Sequence, residues 1–151
     1  MVTIVQLLNR YENFILRLDI ALERFPSNQK YSLRTKIDNE SIMIWGKILE
    51  VQTTKNNKRK IFLIKKVKEQ IVVLEAFLRL AKKRGFLGYV TCKDMKAITK
   101  NKDISTWQRK LTSIEEKRHN EKWMKNAEME YVKLTKMLGE IVTLIDNWLK
   151  K

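Results

Sequence analysis

The chain has 151 residues, enough for one domain that buries a real hydrophobic core. Its 32 Lys and Arg against 17 Asp and Glu give a formal net charge of +15. A charge of that size opposes self-association unless something acidic neutralises it, and nucleic acid is the usual neutraliser, ahead of an anionic membrane surface. The single cysteine, Cys92, excludes an internal disulfide and a multi-cysteine zinc site, and points to a reducing compartment.

Only four Gly and one Pro are present, so sharp turns are few and long helices joined by polar loops are expected. Met1 to Val5 shows no basic leader before an unbroken apolar run, and no window approaches the roughly 20 apolar residues that span a bilayer. A cytoplasmic protein without a membrane partner is expected.

Along the chain, Leu8, Tyr11, Ile15, Leu18 and Leu22 recur at spacings of three and four, with Ile4, Phe14 and Ala21 widening the stripe. That periodicity predicts an amphipathic helix over 2–25. Pro26 ends it, because a residue before proline is disfavoured in the helical region. A second helix is predicted from about Gln29 to Thr54, with Leu33, Ile37, Ile44, Ile48 and Val51 inward. The third, about Asn57 to Arg84, carries its main stripe on Leu63, Val67, Leu74, Leu78 and Ala81. From Ile71 to Leu80 it is apolar nearly all round, with Val72, Val73, Ala76 and Leu80 pointing away from the stripe. A helix apolar on two faces needs two burial partners, the second being another subunit or a neighbouring segment. Gly85 and Gly88 follow this helix and can cap it.

Residues 90–123 form an insertion-like segment that fits less well: Ile104, Trp107, Leu111 and Ile114 hint at a short helix from Asp103, and a flexible arm fits equally. The last helix, about Asn126 to Lys150, places Leu134, Leu138, Ile141, Ile145 and Trp148 at alternating spacings of four and three. Four such helices make an all-α, antiparallel up-down-up-down bundle in a single domain.

The charge is concentrated. Residues 55–91 hold eleven basic side chains against two acidic, a balance of +9, and residues 92–125 hold ten against five. Residues 1–54 balance at +1 and residues 126–151 at zero. The clusters are Lys55, Lys58, Arg59, Lys60, Lys65, Lys66 and Lys68, then Arg79, Lys82, Lys83 and Arg84. Grouped cations bind phosphates by displacing condensed counterions, which requires charge density and no sequence motif. The second cluster lies at a helix C-terminus, where the dipole favours cations anyway; the first lies at an N-terminus, where it does not.

Catalytic groups are scarce. His119 is the only histidine and reads as solvated; Cys92 beside Lys93 has no accompanying base. The acidic residues occupy surface positions of helices without metal-ligand spacing, and no Gly-rich phosphate loop exists. A non-enzymatic protein without cofactor or metal is expected.

The ordered set Phe25-Pro26, Tyr31-Ser32-Leu33, Leu74 through Ala81, Gly85-Phe86-Leu87, Met137 through Ile141 and Trp148-Leu149-Lys150 resembles the Avd-like four-helix-bundle family. Avd is the accessory variability determinant of diversity-generating retroelements. The resemblance covers roughly residues 1–90 and 124–151. It implies a homopentameric barrel that binds the element's reverse transcriptase and template RNA during mutagenic cDNA synthesis, with no chemistry of its own. It implies a binding role for Arg79, whereas Glu75 stands where relatives often carry another Arg. A sister branch comprises bundle proteins encoded within ribosomal-RNA intervening sequences. Reverse transcriptases are commonly basic, so RNA is expected to bridge part of the contact and an apolar or acidic patch to make the rest, with Glu128, Glu130, Glu140, Asp38 and Glu40 as acidic candidates. A structural oligomer with no nucleic-acid role is the remaining alternative.

Overall fold

The first helix begins with a reciprocal cap. In the computed structural model, which describes residues 3–25, 32–88 and 113–150 (113–120 by backbone alone), the Thr3 hydroxyl accepts from the Gln6 N–H at 3.1 Å. The Gln6 side chain in turn accepts from the Thr3 N–H at 3.0 Å. Two otherwise orphaned donors are satisfied this way, and α1 runs Ile4–Leu22. The second helix, α2, runs Leu33–Thr53, and the Thr54 hydroxyl closes its end by donating to the Glu50 carbonyl at 2.6 Å. Asn56 caps α3, Asn57–Lys83, by accepting from the Arg59 N–H at 3.2 Å.

Gly85 ends α3 as its sequence position predicts. With φ at 77° it occupies the left-handed region, which costs a residue with a Cβ. Its N–H donates to the Lys82 carbonyl and the Phe86 N–H to the Ala81 carbonyl, both at 2.9 Å, the paired bonds of a Schellman motif. Gly88 serves close approach instead. A Cβ there would lie 2.5 Å from the Trp123 carbonyl oxygen and 2.6 Å from its ring. The Trp123 indole N–H donates to the Gly85 carbonyl, tying the end of α3 to the last helix.

That last helix, α4, spans Ser113–Leu149 and begins well before the position near Asn126 that apolar periodicity marks. The reason is geometric. Lys82 pairs with Glu128 and Gly85 meets Trp123, so the first turns of α4 run past the end of α3. Residues 113–123 are therefore helical and continuous with α4, whereas Cys92, Asp103, Ile104, Trp107 and Leu111 lie outside the described residues.

Each helix packs on two neighbours in the cyclic order α1–α2–α3–α4. Ion pairs Arg10–Glu140 and Arg17–Glu130, and Lys68–Asp146 and Lys82–Glu128, run in opposite directions along their partners, so α1/α4 and α3/α4 are antiparallel. Among the described residues every regular element is a helix, and the fold is an all-α four-helix bundle.

The core is the union of the predicted stripes. Leu8, Tyr11, Leu18, Leu22, Leu33, Ile37, Ile44, Ile48, Val51, Leu63, Val67, Leu74, Leu78, Ala81, Leu134, Leu138, Ile141 and Ile145 are all buried, with Ile15 and Trp148 half-buried at the rim. Ile64 and Ile71 join them from α3. Fully burying one such Leu or Ile side chain stabilises by about 1.5–3 kcal/mol. The Tyr11 hydroxyl enters this core only because it donates to the Ser41 carbonyl at 2.7 Å. Burial, aided by nearby Glu40, pushes its pKa far above the ordinary tyrosine value, so Tyr11 stays neutral.

One acidic residue is not where the surface pattern puts it. Glu130 is 1% exposed, contrary to its expected place in a solvated docking patch. Arg17 donates to it from two nitrogens, at 2.9 and 2.5 Å, and Arg24 approaches to 3.6 Å. A buried carboxylate is tolerated because guanidinium groups take both oxygens.

Candidate nucleic-acid interface

The helical repeat of α3 sorts its residues into faces. At 3.6 residues per turn, Lys58, Lys65, Val72, Ala76 and Lys83 fall within about 40° of one line opposite the core stripe. The outer surface of α3 is thus basic at both ends and apolar between. Val72 is 63% exposed, Val73 43% and Leu80 39%, with Ala76 half-buried. All four lie off the core stripe as predicted.

The cations divide by their partners. Lys68 pairs with Asp146 at 2.7 Å, and Lys82 pairs with Glu128 at 3.1 Å while lying 4.6 Å from the Tyr131 ring centroid. Lys82 is consequently turned onto α4 and contributes least to an outward surface. Arg59 reaches Glu50 at 3.1 Å and Lys66 reaches Glu69 at 3.4 Å. Both are exposed pairs of small worth that a phosphate can displace. Among the described residues, Lys55, Lys58, Lys60, Lys65, Arg79, Lys83 and Arg84 have no carboxylate partner. The α3 face therefore presents cations that the protein itself leaves uncompensated.

The two carboxylates of this stretch barely offset them. Glu69 is already paired with Lys66, and Glu75 is half-buried, where burial raises its pKa. The acidic counterpart lies across the molecule on the α1–α2 edge. There Asp19 is held above the carboxylate range by burial and then by its neighbours Asp38 and Glu23.

On the sequence alone the helices are expected to carry no exposed bulky aromatic beside their lysines, and Phe62 departs from that expectation. It is 49% exposed on the outer side of α3, with the Arg59 guanidinium 5.4 Å and the Lys66 ammonium 5.6 Å from its ring centroid. Its position between Lys60 and Lys65, off the core spacing, was the available signal.

Among the described residues no three His, Cys, Asp or Glu side chains are grouped to hold a metal ion, and no helix is long and apolar enough to cross a membrane. Compared with models of known protein families, with curated proteins and with solved structures, the chain matches none.

Proposed function

We propose that this bundle is a non-enzymatic, nucleic-acid-binding accessory protein of the Avd-like type. In this reading it holds a retroelement reverse transcriptase on its template RNA during mutagenic cDNA synthesis, and it works as a homo-oligomer, a pentamer on the family pattern. The observation that carries the nucleic-acid part is the set of uncompensated cations on the outer face and ends of α3. Dense positive charge without catalytic groups can supply binding energy and orientation to another molecule's chemistry. The polymerase's identity rests on the resemblance in the ordered segments.

Two basic proteins repel, so RNA bridges part of the contact and an acidic patch makes the rest. Glu130 is buried, Glu128 is paired with Lys82 and Glu140 with Arg10, which leaves Asp38, beside Asp19, and Glu40, near Tyr11, as the acidic residues on offer. A pull-down with the cognate polymerase, with and without nuclease, tests the assembly. The complex is expected to weaken sharply once RNA is digested. Equal recovery after digestion at low salt overturns the bridging, and no complex under any condition hands the reading to the ribosomal-RNA intervening-sequence branch.

Exposed Val72, Val73 and Leu80 support self-association through α3. Val73→Asp is expected to dissociate the oligomer, read as a drop in mass by light scattering, while helix content by circular dichroism is unchanged. A wild-type monomer at micromolar concentration removes the oligomer from the proposal.

A further inference from the structure

We infer that Phe62 is a base-stacking platform, so that the basic face of α3 takes single-stranded nucleic acid in preference to duplex; this rests on the nucleic-acid reading and specifies its ligand. The first ground is exposure. An aromatic ring left 49% accessible on the outer side of a helix is not held there by the core, which α3 reaches through Leu63 and Ile64 instead. The second is its setting. Arg59 stands one turn before Phe62 and Lys66 one turn after, and their cationic groups lie 5.4 and 5.6 Å from the ring centroid.

Those distances sit near the outer limit for a cation–π contact, about 6 Å, so neither cation clamps the ring. Each also has an exposed carboxylate partner that a phosphate can replace, Glu50 for Arg59 and Glu69 for Lys66. Lys58, four residues before Phe62, and Lys65, three after it, extend the cationic track on the same side. A ring flanked along one helix by mobile cations matches what a single strand offers. An unpaired base has a free π-face for the ring, and its phosphates lie to either side for the arms. A duplex hides its bases in the stack and offers only phosphates, so it gains nothing from the ring.

The test compares a mixed-sequence single-stranded RNA with a duplex RNA of equal length, binding followed by fluorescence anisotropy at fixed salt. Phe62→Leu keeps the apolar bulk and removes the π-face. It is expected to raise Kd for the single strand about tenfold, the loss of one base–aromatic stack, and to change duplex Kd less than about twofold. Phe62→Tyr, which keeps the π-face, is expected to restore single-strand affinity. An unchanged thermal midpoint in both variants shows that the fold is intact. Equal losses on both ligands, or none on either, overturn the stacking role. In that case continued salt-sensitive binding by wild type leaves the nucleic-acid reading standing. If wild type binds neither RNA at low salt, that reading falls and the stacking role with it.

Discussion

Replacing Lys58, Arg59 and Lys60 together with Gln is expected to weaken binding to RNA and DNA of every sequence by the same factor and to flatten its salt dependence. Each neutralised phosphate releases condensed counterion, so log affinity falls linearly with log salt at about 0.9 per contact on duplex and about 0.7 on single strands. Seven uncompensated cations, with Arg59 and Lys66 available from weak pairs, place wild type among proteins making several phosphate contacts. Its affinity is expected to drop by about a thousandfold or more between 50 and 200 mM salt. The triple variant removes three contacts, and its slope should be shallower by about 3 on duplex. Sequence preference stays as it was, because phosphate contacts position a protein and carry no base information. Titrations at several salt concentrations give both slopes. A flat wild-type response, or a variant with the wild-type slope, places the binding surface elsewhere.

Glu130→Gln is expected to cost as much stability as emptying a core position, although it changes no apolar contact. It leaves the Arg17 and Arg24 guanidinium groups, with side chains only 30% and 26% exposed, beside a neutral amide. Removing one member of a buried ionic cluster costs about 3 kcal/mol, the low end of the usual range because both arginines keep some water. For a chain of this size that lowers the melting midpoint by roughly 10 °C. Glu130→Leu combined with Arg17→Met and Arg24→Met should recover most of the loss, since apolar replacement of a whole buried ionic cluster is often neutral or better. Urea unfolding decides it: the midpoint falls for the single variant while the m-value holds. A shift of less than about 0.5 kcal/mol would put Glu130 among ordinary surface residues.

The four helices were readable because each lays a continuous apolar stripe against two neighbours. Leu134, Leu138, Ile141 and Ile145 mark α4 that way. The buried stripe of α4 begins at Ala127, so periodicity marks a start near Asn126 and not at Ser113. The cationic face was legible from charge counting alone, whereas the turning of Lys82 onto Glu128 and Tyr131 depends on its angular position beside α4. Glu130 was misread for lack of a partner within its own helix. Its signal was split in two: it follows Ala127 and precedes Leu134 on the apolar line, and Arg10, Arg17 and Arg24 recur every seventh residue along α1 and just past its end. Only the packing of α1 on α4 brings the halves together. Phe62 escaped because it stands off the core spacing of α3, so a search for apolar stripes does not register it, and its exposure beside Arg59 and Lys66 shows only in the folded helix.

The seams of the bundle differ in how much chain must be gathered to close them. Thr54, Lys55 and Asn56 are all that separates α2 from α3, and Glu50 meets Arg59 only nine positions on. The seam between α1 and α4 joins Arg17 to Glu130, 113 positions apart. Loop-closure entropy rises with the logarithm of that separation, which makes the outer seam about 2 kcal/mol dearer to close than the inner one. The α2–α3 hairpin, held by local contacts, can therefore assemble before the rest of the chain is in place. The α1–α4 seam is expected to close last, which makes the buried Glu130 cluster the latch on the join that gathers the most chain.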